Sequence, residues 1–488
     1  MLRTRVEAKD GAAVIQSLEL LVNLPPLLVL SLPLVTGYRP FNILGICVRT
    51  GCLLLNLRTL FPHRAQPPMA TAHLFKVSGD IVVLPLPVFL AEEIQRRSQI
   101  YPQAVLLGDL VDWVRVDPRN SLIPHESCKL HASLARASKS TGAISLALGN
   151  DRLVSACLTT DFSLIGSARM YYARLTGREI HTGCTRLYGG MGWGMPTMEA
   201  EQLPPLGSRA SLHLDGVKHL FSALAEAVTA SLPGRNAHAL RLLEHHIHFT
   251  RYSAALISFC AGLREVQCYR LLAEELLALL ANASDALDKC RTSKSSFTDV
   301  RRFPSLLFAR RAELLYGQDQ IVVHDKQGGD VLMAQPALLN AQVREQICLY
   351  AAHARALVQR LQRLNDRHGL LLAQRLRIAV EGTGPLFLTL SPSGAVHAAG
   401  AHFTWREMPE SIRVPPNVGR HFWQNVLRER GLSSRDIDSF MRHRVVGLEL
   451  NTNSQVCVPH QARGRIEATQ LVVMREVGIQ ALAGLRRE

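Results

Sequence analysis

Four residues in the second half of the chain are of the types that bind and act on a phosphate group. Arg264 follows an apolar run in "YSAALISFCAGLRE", Lys326 lies in "IVVHDKQGGDVLMAQPALL", and Arg420 and His443 begin and end "RHFWQNVLRERGLSSRDIDSFMRH". Arginine and lysine place positive charge beside the non-bridging phosphate oxygens, which gain negative charge in the transition state of strand transfer. A general acid for the leaving oxygen completes such a site. The four residue types together indicate phosphodiester chemistry.

The sequence around each residue predicts an element that presents it to a common site. The apolar run before Arg264 predicts a helix that ends at Gly262, so that the arginine projects from a helix end. Lys326 is predicted at the tip of a two-stranded hairpin that is followed by a helix. The stretch from Arg420 to His443 predicts two helices joined by a glycine turn. Two helices would therefore carry the arginine and the histidine to the same phosphate.

In this order the segments resemble the catalytic domain of the tyrosine recombinases, or phage integrases, over roughly residues 240–465. That family has a GLR arginine, a hairpin lysine, an HxxRH segment and a GH motif, followed at a short distance by a nucleophilic tyrosine. "AGLRE" and "NVGRHF" match two of these motifs, and "IDSFMRH" is similar to the family's segment ending in LGH. The resemblance implies that Arg264 and Arg420 clamp the scissile phosphate, that Lys326 is the general acid, and that His443 hydrogen-bonds the phosphate.

The chain departs from the family pattern at two places. Asn417 replaces the first histidine of HxxRH, and an amide donates a hydrogen bond but cannot shuttle a proton; with His421 it forms the further phosphate-binding pair that the resemblance implies. No tyrosine follows His443, because all nine tyrosines lie at or before Tyr350. Ser454 stands near the expected position, but nothing nearby activates its hydroxyl. The second half therefore predicts phosphate recognition more firmly than cleavage.

The first half contains a looser version of the same order, which a degenerate copy of the module would explain. Arg39 matches the first arginine, Lys76 the hairpin lysine and Arg136 the second arginine, and Tyr171 or Tyr172 follows where a nucleophile would fall. Two other interpretations stay open. The half could supply helices that wrap the opposite face of DNA, as the family's core-binding domain does, and the tyrosine pair could be core aromatics.

Composition agrees with a nucleic-acid partner and excludes several other classes. The 55 Lys and Arg against 40 Asp and Glu give a net charge of +15, which favours a polyanion such as double-stranded DNA. The ten cysteines contain no CxxC pair, which excludes a zinc ribbon and favours a reducing bacterial cytoplasm, at the nucleoid when DNA is bound. No P-loop or dinucleotide motif is present, so we expect no cofactor.

Two local features predict no membrane span and no metal. The apolar run from Leu20 contains Asn23 and three prolines and is shorter than the roughly 20 residues that a span needs. The histidines of "EHHIHF" would lie on different faces of a helix, which argues against a shared metal ion. We therefore expect neither membrane association nor a metal site.

The predicted fold is mostly α-helical with small antiparallel β-sheets, an α+β class. Residues 1–185 are predicted as a helical and hairpin region, 186–213 as a Gly/Pro-rich linker and 214–488 as the recombinase-like domain. Within the first region we expect helices over residues 1–60, a hairpin around the Ser-Gly-Asp turn after Lys76, and helix breaks at "STG" and "LGND".

Three functions follow from these observations. The first is a site-specific recombinase or integrase that works as a homo-oligomer or with a partner recombinase. The second is a non-catalytic DNA-binding accessory or a decayed mobile-element protein. The third is a helical protein with no role on nucleic acid.

Overall fold

The chain divides into two compact units that are each assembled from separate stretches of sequence. Unit 1 comprises Met1–Arg64, Val77–Arg209 and Val445–Leu448, and unit 2 comprises Ala65–Lys76, Ala210–Arg444 and Glu449–Glu488. The described part is mostly helical with small antiparallel sheets, which confirms the predicted α+β class in its coarse form. The computed structural model describes residues 43–47, 52–56, 66–78, 81–100, 134–159, 171–194, 205–268, 271, 320–327, 331–364, 367–381, 385–391, 395–399, 403–404, 408–443 and 460–485.

Unit 1 contains a three-stranded antiparallel sheet in the order β1-β2-β3 and a separate two-stranded sheet, β4-β5. The prediction of helices over residues 1–60 is wrong at β1 and β2. The runs "ILGIC" and "CLLLN", on either side of a short Arg-Thr-Gly sequence, form strands that pair with each other. Its elements are β1 (Ile43–Cys47), β2 (Cys52–Asn56), β3 (Ile81–Pro85), α1 (Val88–Ile100), α2 (Leu134–Ala147), α3 (Arg152–Thr159), β4 (Arg174–Leu175), α4 (Gly177–Gly190) and β5 (Leu206–Gly207).

Two local predictions for the first half are wrong. The hairpin after Lys76 does not form, because β3 pairs with the equally apolar β2 and Phe75 bridges to Leu212 within unit 2. Helix α2 also continues through the Ser-Thr-Gly sequence that ends at Gly142, since one glycine costs a helix only about 1 kcal/mol. The predicted break at "LGND" is confirmed, and Gly149 has a φ of 84° there.

Helix α4 illustrates how unit 1 is held together. It begins with a capping box, in which the Thr176 hydroxyl accepts from the Glu179 N–H while the Glu179 carboxylate accepts from the Thr176 N–H. On its buried face the Tyr188 hydroxyl donates to the Pro85 carbonyl at 2.9 Å. The predicted linker, 186–213, therefore includes the end of α4 as well as strand β5.

Unit 2 contains eight described helices and two described antiparallel hairpins. The predictions of a helix at "LFSALAEAVTASL", a hairpin on either side of Lys326, a strand at "PLFLTLS" and two helices after Asn417 are confirmed. Its elements are α5 (Leu214–Ala230), α6 (Ala239–Cys260), α7 (Glu265–Cys268), β6 (Gln320–Gln327), β7 (Val331–Leu338), α8 (Ala341–Arg363), α9 (Arg367–Glu381), β8 (Leu388–Leu390), β9 (Val396–Ala398), α10 (Val418–Glu429), α11 (Ser434–Met441) and α12 (His460–Glu476).

Helix α6 is the centre of unit 2. Every residue from Tyr252 to Cys260 is buried, and the ring of Phe259 lies 5.1 Å from that of Phe422 on α10. Helix α10 is itself buried at every position from Val418 to Leu427, although it carries several polar side chains. Such side chains need partners inside the protein, because burial without hydrogen bonds is costly. None of the described helices is long and apolar enough to cross a membrane.

Candidate functional site

The site is organised by the C-terminal end of helix α6. Gly262 takes the left-handed conformation with a φ of 56°, which a glycine adopts without strain. Its N–H donates to the Phe259 carbonyl at 3.2 Å, and the Leu263 N–H donates to the Ser258 carbonyl at 3.0 Å, the pair of bonds that closes a Schellman turn. Arg264 follows this turn and leads into α7, so it does leave a helix end as predicted.

Asn417 joins the segment of Arg264 to the beginning of α10. The Asn417 amide oxygen accepts from the Glu265 N–H at 3.1 Å, across 152 positions of sequence. Asn417 has a φ of 61°, a left-handed conformation that asparagine tolerates better than most residues. On the same turn the Gln267 side chain accepts from the Arg264 N–H at 2.8 Å. The residue that replaces the expected histidine thus serves to connect the two arginine segments.

Arg420 brings the third segment to the same place. Its Nη1 donates to the Gly262 carbonyl at 2.9 Å, and its Nη2 donates to the Met441 carbonyl at 2.6 Å and lies 3.1 Å from Nε2 of His443. The guanidinium is 0% exposed. It lies at the negative end of the α6 dipole, where a cation is stabilised. In this conformation Arg420 holds together the ends of α6 and α11.

The contact with Arg420 fixes the tautomer of His443. A guanidinium can only donate hydrogen bonds, so Nε2 of His443 must accept and the ring is neutral with its proton on Nδ1. The ring as a whole is half-buried, but Nδ1 has almost no exposed surface, so the predicted hydrogen bond to a phosphate oxygen requires the ring to move from this conformation. Sequence reasoning assigned the role but not the nitrogen that performs it.

Arg442 belongs to the same cluster, and sequence reasoning missed it. Its Nη2 donates to the Gly262 carbonyl, and its Nη1 donates to the Ala261 carbonyl at 3.4 Å. It has a φ of 58° and follows the last residue of α11, a place where glycine is usual. The family motif LGH has glycine at this position, so an arginine in the middle of "MRH" was the signal that could have identified it.

Three consecutive carbonyls at the end of α6 thus receive side-chain donors from three later helices. The Cys260 carbonyl accepts from Gln470 of α12 at 2.8 Å, and the next two accept from Arg442 and Arg420. Helix α12 is also fixed to α11 by a bidentate ion pair between Arg465 and Asp436, at 2.9 Å. Side chains from α10, from α12 and from the residue after α11 therefore hold the end of α6 in place beside the predicted site residues.

His421, the other predicted phosphate ligand, is unsuited to that role in this conformation. The ring is 1% exposed, and burial together with the neighbouring Arg420 charge lowers its pKa to about 3. His421 is accordingly neutral at physiological pH and cannot present a positive charge to a phosphate.

The predicted general acid lies on a strand that reaches the site. Lys326 is on β6 and pairs with Leu332 of β7, next to the last pair of the hairpin. Strand β6 contacts α7, the helix that follows Arg264. For Lys326 only the backbone is described, so its role as general acid stays a prediction.

The residues proposed as a degenerate first copy do not form one set in the described structure. Lys76 belongs to unit 2, where its ammonium pairs with Glu429 at 2.5 Å. Arg136 lies on α2 of unit 1, and only its backbone is described. Arg39 lies outside the described residues.

The candidate nucleophiles lie in unit 1 or outside the described residues. Tyr171 and Tyr172 lie in unit 1 with their rings in edge-to-face contact at 5.0 Å, and Tyr172 is 5% exposed. This environment is typical of core aromatics. Ser454 lies outside the described residues. The identity of a nucleophile stays a prediction.

A second buried polar cluster lies between α6 and α8. The Leu485 N–H donates to Nδ1 of His353 at 3.0 Å, so the proton of His353 is on Nε2 and points at Nδ1 of His246, 3.1 Å away. Nε2–H of His246 then donates to the Leu388 carbonyl at 3.0 Å. Both rings are used for hydrogen bonds within the protein. In the part of the chain that the structure describes, no group of histidine, cysteine or acidic residues could hold a metal ion.

Close packing at Gly419 positions Arg420 and gives a first prediction. A Cβ at Gly419 would lie 2.6 Å from Cα of Phe259, so Gly419→Ala should force α10 away from α6 and lower the free energy of unfolding by about 1–3 kcal/mol. Gly464→Ala is the matched control. It lies on exposed α12 with nothing within 4 Å, and should instead stabilise by about 0.5–1 kcal/mol. Urea unfolding checks both, and equal effects would contradict the close approach.

No family model, no curated protein and no solved structure matches the chain.

Proposed function

We propose that the chain is a DNA-binding protein of the tyrosine recombinase type, which acts in DNA integration and recombination and is impaired in strand cleavage. Arg264, Lys326, Arg420 and His443 are its proposed phosphate-binding and catalytic residues. The observation that carries the proposal is that Arg420 donates to the carbonyl of Gly262, two residues before Arg264, and also contacts the ring of His443. Coincident motifs would give no reason for this convergence.

Charge at the turn supports phosphate as the ligand. Arg264, Arg420 and Arg442 stand against the carboxylates of Glu265 and of Asp438, whose backbone carbonyl accepts from the His443 N–H, which leaves the cluster at 3 − 2 = +1. Arg264 and His443 are its half-buried members, while Arg420 is enclosed. A phosphate would therefore meet Arg264 first, and it would reach the Nδ1–H of His443, whose ring Arg420 orients, only after that ring moves.

Impaired cleavage is proposed because the covalent chemistry of this family needs a tyrosine. No tyrosine follows Tyr350 in the whole sequence. A nucleophile would have to come from Tyr171, Tyr172, Ser454 or a partner chain, whether a second copy or a separate recombinase. The same observation favours the second candidate function, a non-catalytic DNA-binding accessory or a decayed mobile-element protein.

Binding to DNA is tested with Arg264→Gln and a random-sequence duplex titrated over a range of salt. The variant should bind more weakly and lower the slope of log K against log salt by about 0.9, because one phosphate contact is lost. Arg241→Gln, an exposed arginine already paired with Glu244 at 2.8 Å, should leave both quantities unchanged. No wild-type affinity for DNA at low salt would overturn the proposal, and so would identical binding by the two variants.

Cleavage is tested with a nicked duplex and a denaturing gel. The wild-type protein should bind the duplex without forming a covalent adduct. A covalent adduct that disappears in Tyr171→Phe or Tyr172→Phe would overturn impaired cleavage and assign the nucleophile to the first half of the chain.

A further inference from the structure

The hairpin of helices α8 and α9 has an exposed surface rich in arginine. Residues 355–377 contain six arginines, one acidic residue and no lysine, a balance of 6 − 1 = +5. One of the six, Arg360, is half-buried. The other five side chains are exposed and define what we call the arginine face: Arg355, Arg363, Arg367, Arg375 and Arg377.

The two helices hold this face in a fixed arrangement. Leu357 and Leu361 of α8 share one buried core with Leu372 and Leu376 of α9. Because only three residues separate the helices and both pairs have i, i+4 spacing, α8 and α9 pack antiparallel along these leucines. The arginines occupy the opposite, exposed sides. The stripe from Arg367 to Arg375 is about 12 Å long, at 1.5 Å per residue.

We propose that the arginine face binds the sugar–phosphate backbone of DNA as a second contact surface, separate from the Gly262 turn. Duplex DNA carries one phosphate charge per roughly 1.7 Å of axis, so the length of about 12 Å between Arg367 and Arg375 presents about seven charges beside these two guanidinium groups. Each guanidinium can donate two parallel hydrogen bonds to one phosphate, a geometry that lysine lacks. The presence of arginine and the absence of lysine in residues 355–377 therefore fit a phosphate ligand.

The neighbouring side chains favour nucleic acid over a membrane surface. Leu370 and Leu371 are 44% and 40% exposed beside the arginines. Helices that lie in a lipid interface combine such leucines with tryptophan or phenylalanine, and residues 355–377 contain no aromatic side chain of the Phe, Tyr or Trp type. The exposed amides of Gln362 and Gln374 instead add hydrogen-bond donors to the face.

The inference extends the proposed function and shares with it only the nucleic-acid ligand. Its test is Arg367→Gln/Arg375→Gln, which removes two charges from one stripe, measured on a random-sequence duplex over a range of salt. The salt slope should fall by about 1.8, irrespective of DNA sequence. The matched control is Arg241→Gln/Arg430→Gln, which removes two exposed arginines that lie outside the arginine face, and it should keep the wild-type slope.

The outcomes separate this inference from the proposed function. A lower slope in the hairpin double variant with wild-type binding by Arg264→Gln would support the arginine face and overturn the Gly262 site, and the reverse result would do the opposite. Equal slopes for the hairpin variant and its control would overturn the inference. Loss of binding to phosphatidylserine vesicles with unchanged DNA binding would assign the face to a membrane and also overturn it. Absence of any wild-type DNA affinity would overturn both.

Discussion

An Arg420→Lys variant is expected to be less stable than the wild-type protein by about 2–4 kcal/mol, although charge is conserved. The guanidinium reaches the Gly262 and Met441 carbonyls and His443 at once. A single ammonium at the end of a flexible chain cannot cover the same three acceptors. A buried carbonyl that loses its donor costs about 1–3 kcal/mol, which sets the scale of the effect. Urea unfolding followed by circular dichroism measures it.

Arg430→Lys is the matched control for this variant. Arg430 follows the last residue of the same helix, α10, but its guanidinium is exposed and pairs with Glu476 at 2.5 Å. An exposed ion pair contributes at most about 1 kcal/mol, so this replacement should be nearly neutral. Equal small effects at Arg420 and Arg430 would contradict the bracing role that the structure gives to Arg420.

Local sequence signals predicted the elements of the site well. Gly262 and Gly431 both have a positive φ, as their places after helical runs indicated, and the hairpin on either side of Lys326 pairs in the expected way. Each of these features depends on apolar periodicity and turn residues within one short segment. Such signals can be recognised without knowing which distant segments the element contacts.

The features that sequence reasoning missed depend on contacts between distant segments. Gly419 has to be small because α10 crosses the backbone of Phe259, and Arg442 matters because its side chain returns to the Gly262 carbonyl. The hairpin after Lys76 failed for the same reason, since β3 found its partner in β2. Pairing of distant apolar segments overrides local turn propensity. The spacing of residues within one segment does not predict which distant segment it will contact.

The position of Arg420 refines its predicted role. The carbonyl end of α6 carries about half a negative charge, and its oxygens accept hydrogen bonds as phosphate oxygens do. The planar guanidinium of an arginine can therefore donate hydrogen bonds either to a phosphate group or to the carbonyls at the end of this helix. In the described conformation the Arg420 guanidinium already donates to the Gly262 and Met441 carbonyls. Replacement of half-buried Arg264 is therefore the better test of DNA binding.

Acid is expected to unfold the protein through its buried histidines. Burial lowers the pKa of His246 to about 4 and that of His421 to about 3, and burial with the neighbouring histidines lowers the pKa of His353 well below its ordinary value. The hydrogen bonds of His353 also oppose its protonation in the folded protein. An extra proton on Nδ1 of His353 would face the Leu485 N–H that it now accepts from.

The sign of the effect follows from where each state binds protons. The unfolded chain protonates these histidines near pH 6.5, whereas the folded protein does so only at lower pH. Their contribution to stability is therefore complete above about pH 7 and is lost as the pH falls through 6.5 toward the folded values. Burial also lowers the pKa of His245 to about 4, so four histidines contribute. Between about pH 7.5 and 5.5 each histidine should cost about 1.4 kcal/mol, and the four together about 5.5 kcal/mol.

Two variants at the same cluster test this explanation against a general loss of packing. His353→Gln should remove about one quarter of the pH-dependent loss, because one of the four titrating rings is gone. Tyr350→Phe removes a hydroxyl that bonds to Thr250 at 3.0 Å and receives the Leu388 N–H at 3.3 Å, so it should lower stability by about 1 kcal/mol at every pH. Urea unfolding at the two pH values gives both quantities. Unchanged wild-type stability between them, or the same pH dependence in His353→Gln as in Tyr350→Phe, would show that these histidines do not control the acid sensitivity of the fold.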